Sequence, residues 1–212
     1  MQTIEVRSSR FAELVKEAAA CNLCPALCET TAVLSQLNGS LLARVMFIGE
    51  APGRKGADRT RVPFSGDQSG KNFDRFISSI GLTRDQIFIT SAALCNPRNE
   101  SGANRKPSQS EIANCHTFLK RTIEIVDPYV IVTLGSVALD ALKRIHGHDL
   151  SLRASAAKIH QWDGRLLVPI YHPSPQVLAS HRREVEQLSD YEVVAAAIRQ
   201  VDPRKSKTFP HC

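Results

Sequence analysis

Four short apolar runs limit what this chain can fold into: LLARVMFIG (41–49), QIFIT (86–90), YVIVTLG (129–135) and RLLVPIY (165–171). Each is brief and apolar at consecutive positions, the pattern of a strand covered on both faces. Helical periodicity fills the intervals. Residues 9–20 carry Phe11, Leu14, Val15 and Ala18 on one face. Residues 69–80 carry Phe73, Phe76, Ile77 and Ile80, with Gly81 placed to stop the helix. Ser108 and Glu111 form a capping box for a helix bearing Ile112, Cys115, Leu119 and Ile123. Residues 136–146 read as a further helix with Gly147 at its C-cap, and about 184–200 as the last. Strands alternating with helices predict an α/β fold: a three-layer α/β/α arrangement around a central, mainly parallel four-stranded sheet. The expected domain is 1–200, followed by a polar, loose tail at 201–212.

At 212 residues the chain suits one domain, and its net charge of +6 favours a polyanionic partner. The apolar runs are too short to span a bilayer, and MQTIEVRSSRFAELV is not a secretory signal, so a cytoplasmic location away from membranes is expected. That compartment disfavours disulfides among Cys21, Cys24, Cys28, Cys95, Cys115 and Cys212. Metal ligation or plain burial is the better reading of them.

Ligands of parallel α/β sheets bind beyond the C-terminal strand ends. Those ends read GEAPG (49–53), TSAALCNP (90–97), LGS (134–136) and YHPSPQ (171–176). GEAPG is neither a P-loop nor GxGxxG; it reads as a tight turn bringing backbone close to a ligand, with Glu50 at its entrance. In VPFSGDQSG (62–70), Phe64 is placed to stack a flat base and Asp67 to orient water; the alternatives are a core Phe and a helix-capping Asp. His172, at the end of the fourth run, stands where a catalytic histidine is expected in such a sheet, although a lone histidine is more often structural.

In this order, GEAPG, PFSGDQSG, the paired cysteines and YHPS resemble the uracil-DNA glycosylase superfamily over roughly residues 20–200. GEAPG resembles family 4, whereas GADRTRVPFSGDQSG, SAALC and YHPSPQ look more like family 5. The resemblance implies an enzyme that flips uracil out of DNA and hydrolyses its N-glycosidic bond, and a 4Fe–4S cluster on Cys21, Cys24, Cys95 and Cys115. Zinc would accept the same four residues, and Cys28 is an alternative ligand. By the same resemblance Phe64 stacks on the base, and His172 donates to uracil O2. Backbone around Gly49, Glu50 and Ala51 holds the same carbonyl, and Asp67 or Glu50 positions water. Asn104 and Ser174 are further substrate-site candidates. Ser91 stands where family 4 has asparagine, which implies base discrimination that is either relaxed, extending to hypoxanthine or other deaminated bases, or supplied by backbone. KRIH (143–146) reads as a basic helix end rather than a catalytic loop.

DNA contact is expected in SPQVLASHRR, with Val177 or Leu178 as a wedge. Arg54, Lys55, Arg59, Arg61, Arg105, Lys106, Arg182 and Arg183 are the candidate phosphate contacts. The expected enzyme is a monomer acting on uracil-containing DNA. Its rivals are a non-catalytic DNA-binding relative and a nucleoside hydrolase-like metal protein.

Overall fold

A computed structural model describes residues 3–201. Cys212 and the expected loose tail lie, from residue 202 onward, outside the described residues. The long elements follow the chain as α1 (Ile4–Ala19), β1 (Val45–Gly49), α2 (Ala57–Thr60), α3 (Gln68–Ser79), β2 (Ile87–Ser91) and α4 (Gln109–Val126). They continue as β3 (Val130–Leu134), α5 (Ser136–Leu142), α6 (Leu152–Ser155), β4 (His160–Trp162), β5 (Arg165–Ile170), α7 (Pro175–Ser180) and α8 (Glu184–Gln200).

The sheet order is β2-β1-β3-β5-β4, parallel except for the β4–β5 pair. Side chains alternate across it. Met46, Ile48, Phe88, Ile131 and Leu167 face a core shared with α1, α4 and α5. Val45, Phe47, Ile87, Val132 and Val168 face a second core with α3 and α8. Burial on both faces explains why the strands read as continuous apolar runs. The chain leaves β1 toward β2 on one side and β3 on the other. That reversal opens a crevice above the C-terminal ends of the strands.

The predicted stop at Gly81 is a Schellman cap: Gly81 has φ +74, its amide donates to Ser78 O, and the Leu82 amide donates to Ile77 O. The predicted capping box is present, with the Glu111 amide donating to Ser108 Oγ and the Ser108 amide to Glu111 Oε2.

Two expectations need correction. The sheet has five strands rather than four. The fifth, β4, is a three-residue edge strand folded back on β5 through Asp163 (φ 48) and Gly164 (φ 73), too short to show a period. Gly147 is not a C-cap: α5 ends at Leu142, and looser turns carry the chain to His146, whose carbonyl accepts the Trp162 indole N–H at 2.9 Å.

Candidate active site

A cavity of about 400 Å³ occupies the crevice. Glu50, Ala51, Phe64, Asp67, Ser91, Asn104, His172 and Ser174 all line it. Gly49 lies just beneath. A Cβ there would meet Phe64 Cε2 at 2.9 Å, so glycine is what lets the Phe64 ring lie across the end of β1.

Phe64 is a half-buried residue with φ 49, an unusual conformation for an aromatic side chain. Its ring packs on Phe73 (centroids 4.9 Å apart) and faces His172 (5.4 Å, 38° between planes). Phe73 meets Phe47 edge-on at 5.1 Å, and Phe47 stacks on the fully buried Tyr191 at 6.2 Å. An aromatic column thus runs from the core to the cavity, and Phe64 forms its accessible end.

His172 belongs to the turn between β5 and α7. Two buried amides hold this turn: Asn72 donates to Pro173 O at 2.8 Å, and Gln187 donates to His172 O at 3.2 Å. Burial pushes the His172 imidazole down to about 4, against a smaller upward pull from Asp67. The ring is therefore neutral at neutral pH. Glu50 is half-buried, and burial holds its carboxyl above the usual carboxylate range, partly offset by Lys106. Asp67 caps α3: Oδ1 accepts the Gly70 amide at 2.9 Å. Its Oδ2 lies so near Gly56 that a Cβ there would sit 2.2 Å away. Asp67 is thus both the helix cap of one reading and a cavity-lining carboxylate of the other.

Asn104 is already engaged with backbone. Its Oδ1 accepts the Arg54 amide at 2.9 Å and Asn96 Nδ2 at 3.0 Å. Asn96, fully buried and not foreseen from sequence, also donates to Pro52 O at 2.6 Å and accepts Arg98 Nε at 2.7 Å. Arg98 in turn pairs with Asp58. This chain of bonds fixes the GEAPG turn to the segment after β2. Ser174 Oγ caps α7 by accepting the Val177 amide at 3.4 Å.

Several expected DNA contacts are otherwise occupied. Arg105 is bound through both terminal nitrogens to Glu111, Arg182 is held by Asp190, and Arg61 donates to the carbonyls of Thr31 and Ala32. Leu178 packs against the core shared with α8, whereas Val177 lines the cavity. Both are part of α7. Arg54, Lys55, Arg59, Lys106 and Arg183 are exposed. Arg54 and Lys55 border a smaller hollow of about 280 Å³ that shares Asp67 and Asn104 with the main cavity.

Among the described residues, Cys21, Cys24, Cys28, Cys95 and Cys115 form no disulfide. Burial pushes Cys95 up, with Cys21 and Cys24 adding to it. Burial likewise pushes Cys115 up to about 12, with Cys95, Cys24 and Cys21 adding to it. Cys21, Cys24, Cys95 and Cys115 therefore share one neighbourhood. Cys28 is exposed at the end of a short 3-10 turn, Pro25–Leu27. Among the described residues, no three His, Cys, Asp or Glu side chains close around a metal ion. Asn114 donates to Cys24 Sγ at 3.4 Å and to Leu23 O at 2.9 Å, tying the cysteine loop to α4.

Residues 38–193 match the family model for the uracil DNA glycosylase superfamily. The chain is 32% identical over 203 residues to a type-4 uracil-DNA glycosylase of Thermotoga maritima, covering 94% of this chain and 99% of that protein. It is 29% identical to a type-4 uracil-DNA glycosylase of Archaeoglobus fulgidus, covering 90% and 94%. It is 32% identical to a type-5 uracil-DNA glycosylase of Pyrobaculum aerophilum, covering 75% and 74%.

Proposed function

Because this chain belongs to the uracil DNA glycosylase superfamily, we infer that it excises uracil from DNA by hydrolysing the N-glycosidic bond, leaving an abasic site. The observation that carries this reading is the convergence, on one cavity, of a stacking ring, a neutral imidazole and two carboxylates.

Bond cleavage puts positive character on the sugar and negative charge on the departing base. Phe64 stacks on the flipped base and orients it. His172 donates a hydrogen bond to uracil O2, and backbone N–H groups around Glu50 and Ala51 assist as charge grows there. A neutral imidazole can fill this role, because one of its ring nitrogens carries an N–H donor. Asp67 or Glu50 orients the attacking water and faces the sugar cation. Asp67 lines the cavity within electrostatic reach of His172, and we therefore assign the water to Asp67. Asn104 acts through the turn that it holds. Ser91 offers a single hydroxyl to the base edge, which supports a tolerance extending to hypoxanthine.

Four cysteines, Cys21, Cys24, Cys95 and Cys115, would hold a 4Fe–4S cluster. Their shared neighbourhood and the chemistry of four thiolates suit such a group. The cluster would supply a covalent tie between the Cys21–Cys24 loop, the segment after β2 and α4, and no electron transfer enters the hydrolysis. We further read the chain as one domain over 1–200 that acts as a cytoplasmic monomer. No helix among the described residues is long and apolar enough to cross a membrane.

The test is alkaline scission of a labelled strand carrying one uracil, with Glu50→Gln, Asp67→Asn and His172→Ala beside wild type. Scission by wild type, lost most severely in Asp67→Asn, is expected. DNA binding without scission, unchanged by all three substitutions, would favour the non-catalytic relative.

A further inference from the structure

We propose that Arg84 is a positioning residue for catalysis: its guanidinium locks the Phe64 backbone so that the ring serves as a rigid platform for the flipped base. This rests on the uracil-excision reading above.

Phe64 adopts φ 49, which its β-carbon disfavours, so the surroundings must impose it. Arg84, in the turn before β2, supplies that restraint. Its Nη1 donates to Pro63 O at 2.8 Å and its Nη2 to Phe64 O. Asp74, on α3, accepts Nε at 2.7 Å and fixes the plane of the fork. The guanidinium also lies 5.7 Å from the centroid of Phe73, the ring on which Phe64 packs. From the other side, Gly70 of α3 lies so close to the Phe64 carbonyl that a Cβ there would meet its oxygen at 2.4 Å. The carbonyl is therefore held in a slot between α3 and Arg84. Arg84 itself is not among the residues lining the cavity, so it acts only through Phe64.

Two consecutive carbonyls require a planar fork with two parallel donors, which lysine lacks. The ordinary alternative is a surface ion pair between Arg84 and Asp74, which would contribute little and would not involve Phe64.

A double-mutant cycle separates these cases. Single-turnover uracil release is measured for wild type, Arg84→Lys, Phe64→Ala and the double variant, together with melting temperature and affinity for undamaged DNA. Arg84→Lys is expected to slow release by on the order of ten- to a hundredfold, with DNA affinity unchanged. The double variant is expected to match Phe64→Ala alone. Asp74→Asn, a milder disturbance of the same fork, is expected to give a smaller loss that likewise vanishes in the Phe64→Ala background. Losses that multiply, or wild-type release by Arg84→Lys, would overturn the proposal while leaving uracil excision intact. Failure of the wild type to release uracil would overturn the functional reading, and this proposal with it.

Discussion

Asp67 accepts the Gly70 amide at 2.9 Å with one carboxylate oxygen while the same side chain lines the cavity that His172 enters. One residue thus ends the loop that carries Phe64, starts α3 and sets the charge beside the imidazole. Asparagine caps a helix about as well as aspartate, so Asp67→Asn separates these roles. The variant is expected to keep stability within about 0.5 kcal/mol. Its excision rate is expected to fall on the order of a hundredfold or more. Denaturant titration beside single-turnover kinetics measures both.

The pH dependence follows from His172. Its folded-state value, about 4, lies below the ordinary 6.5, so the folded protein resists protonation there. The associated stability is fully present above about 6.5 and is lost as pH falls toward 4. Melting of His172→Asn is expected to depend less steeply on pH than wild type across that window. Because Asp67 pulls the imidazole upward, Asp67→Asn is expected to move the His172 titration, followed by NMR, to still lower pH.

Asn96 is expected to be sensitive to a near-isosteric change. Its amide group donates to Pro52 O and Asn104 Oδ1, both of which only accept. Asn96→Asp sets oxygen against oxygen in a fully buried site. A destabilisation of about 2 kcal/mol is expected by denaturant titration. Excision should fall as the GEAPG turn loosens.

The proposed 4Fe–4S cluster has a compositional consequence. Purified protein is expected to contain roughly four irons and matching inorganic sulfide per chain. Cys115→Ser is expected to lose both and to melt at lower temperature, whereas Cys28→Ser should keep them. Iron and sulfide analysis checks both variants.

Much of this was legible in the sequence because two-sided burial leaves apolar runs and helix caps leave local residue signatures. Gly81 and the Ser108–Glu111 box are such cases. The β4–β5 hairpin carried a signal too: Asp163–Gly164 is a favoured two-residue turn, but three residues show no periodicity to flank it. The strand-end segments held Glu50, Ala51, Ser91, His172 and Ser174, since a parallel sheet gathers those ends, whereas Phe64 and Asp67 come from the segment before α3 and Asn104 from the one before α4. What stayed hidden depends on distant partners. Arg84 meets Pro63 and Phe64 across about twenty residues, and Gln187 reaches His172 from α8. Charge alone could not distinguish Arg105 and Arg182, neutralised by Glu111 and Asp190, from the exposed Arg54 and Lys55.

The most direct test of the central claim is single-turnover release of the free base from a DNA duplex containing one uracil, followed by chromatography with wild-type protein in excess. The expected result is uracil released in step with abasic sites, slowed by about a hundredfold or more in His172→Ala. Stable DNA binding with no base released would contradict it.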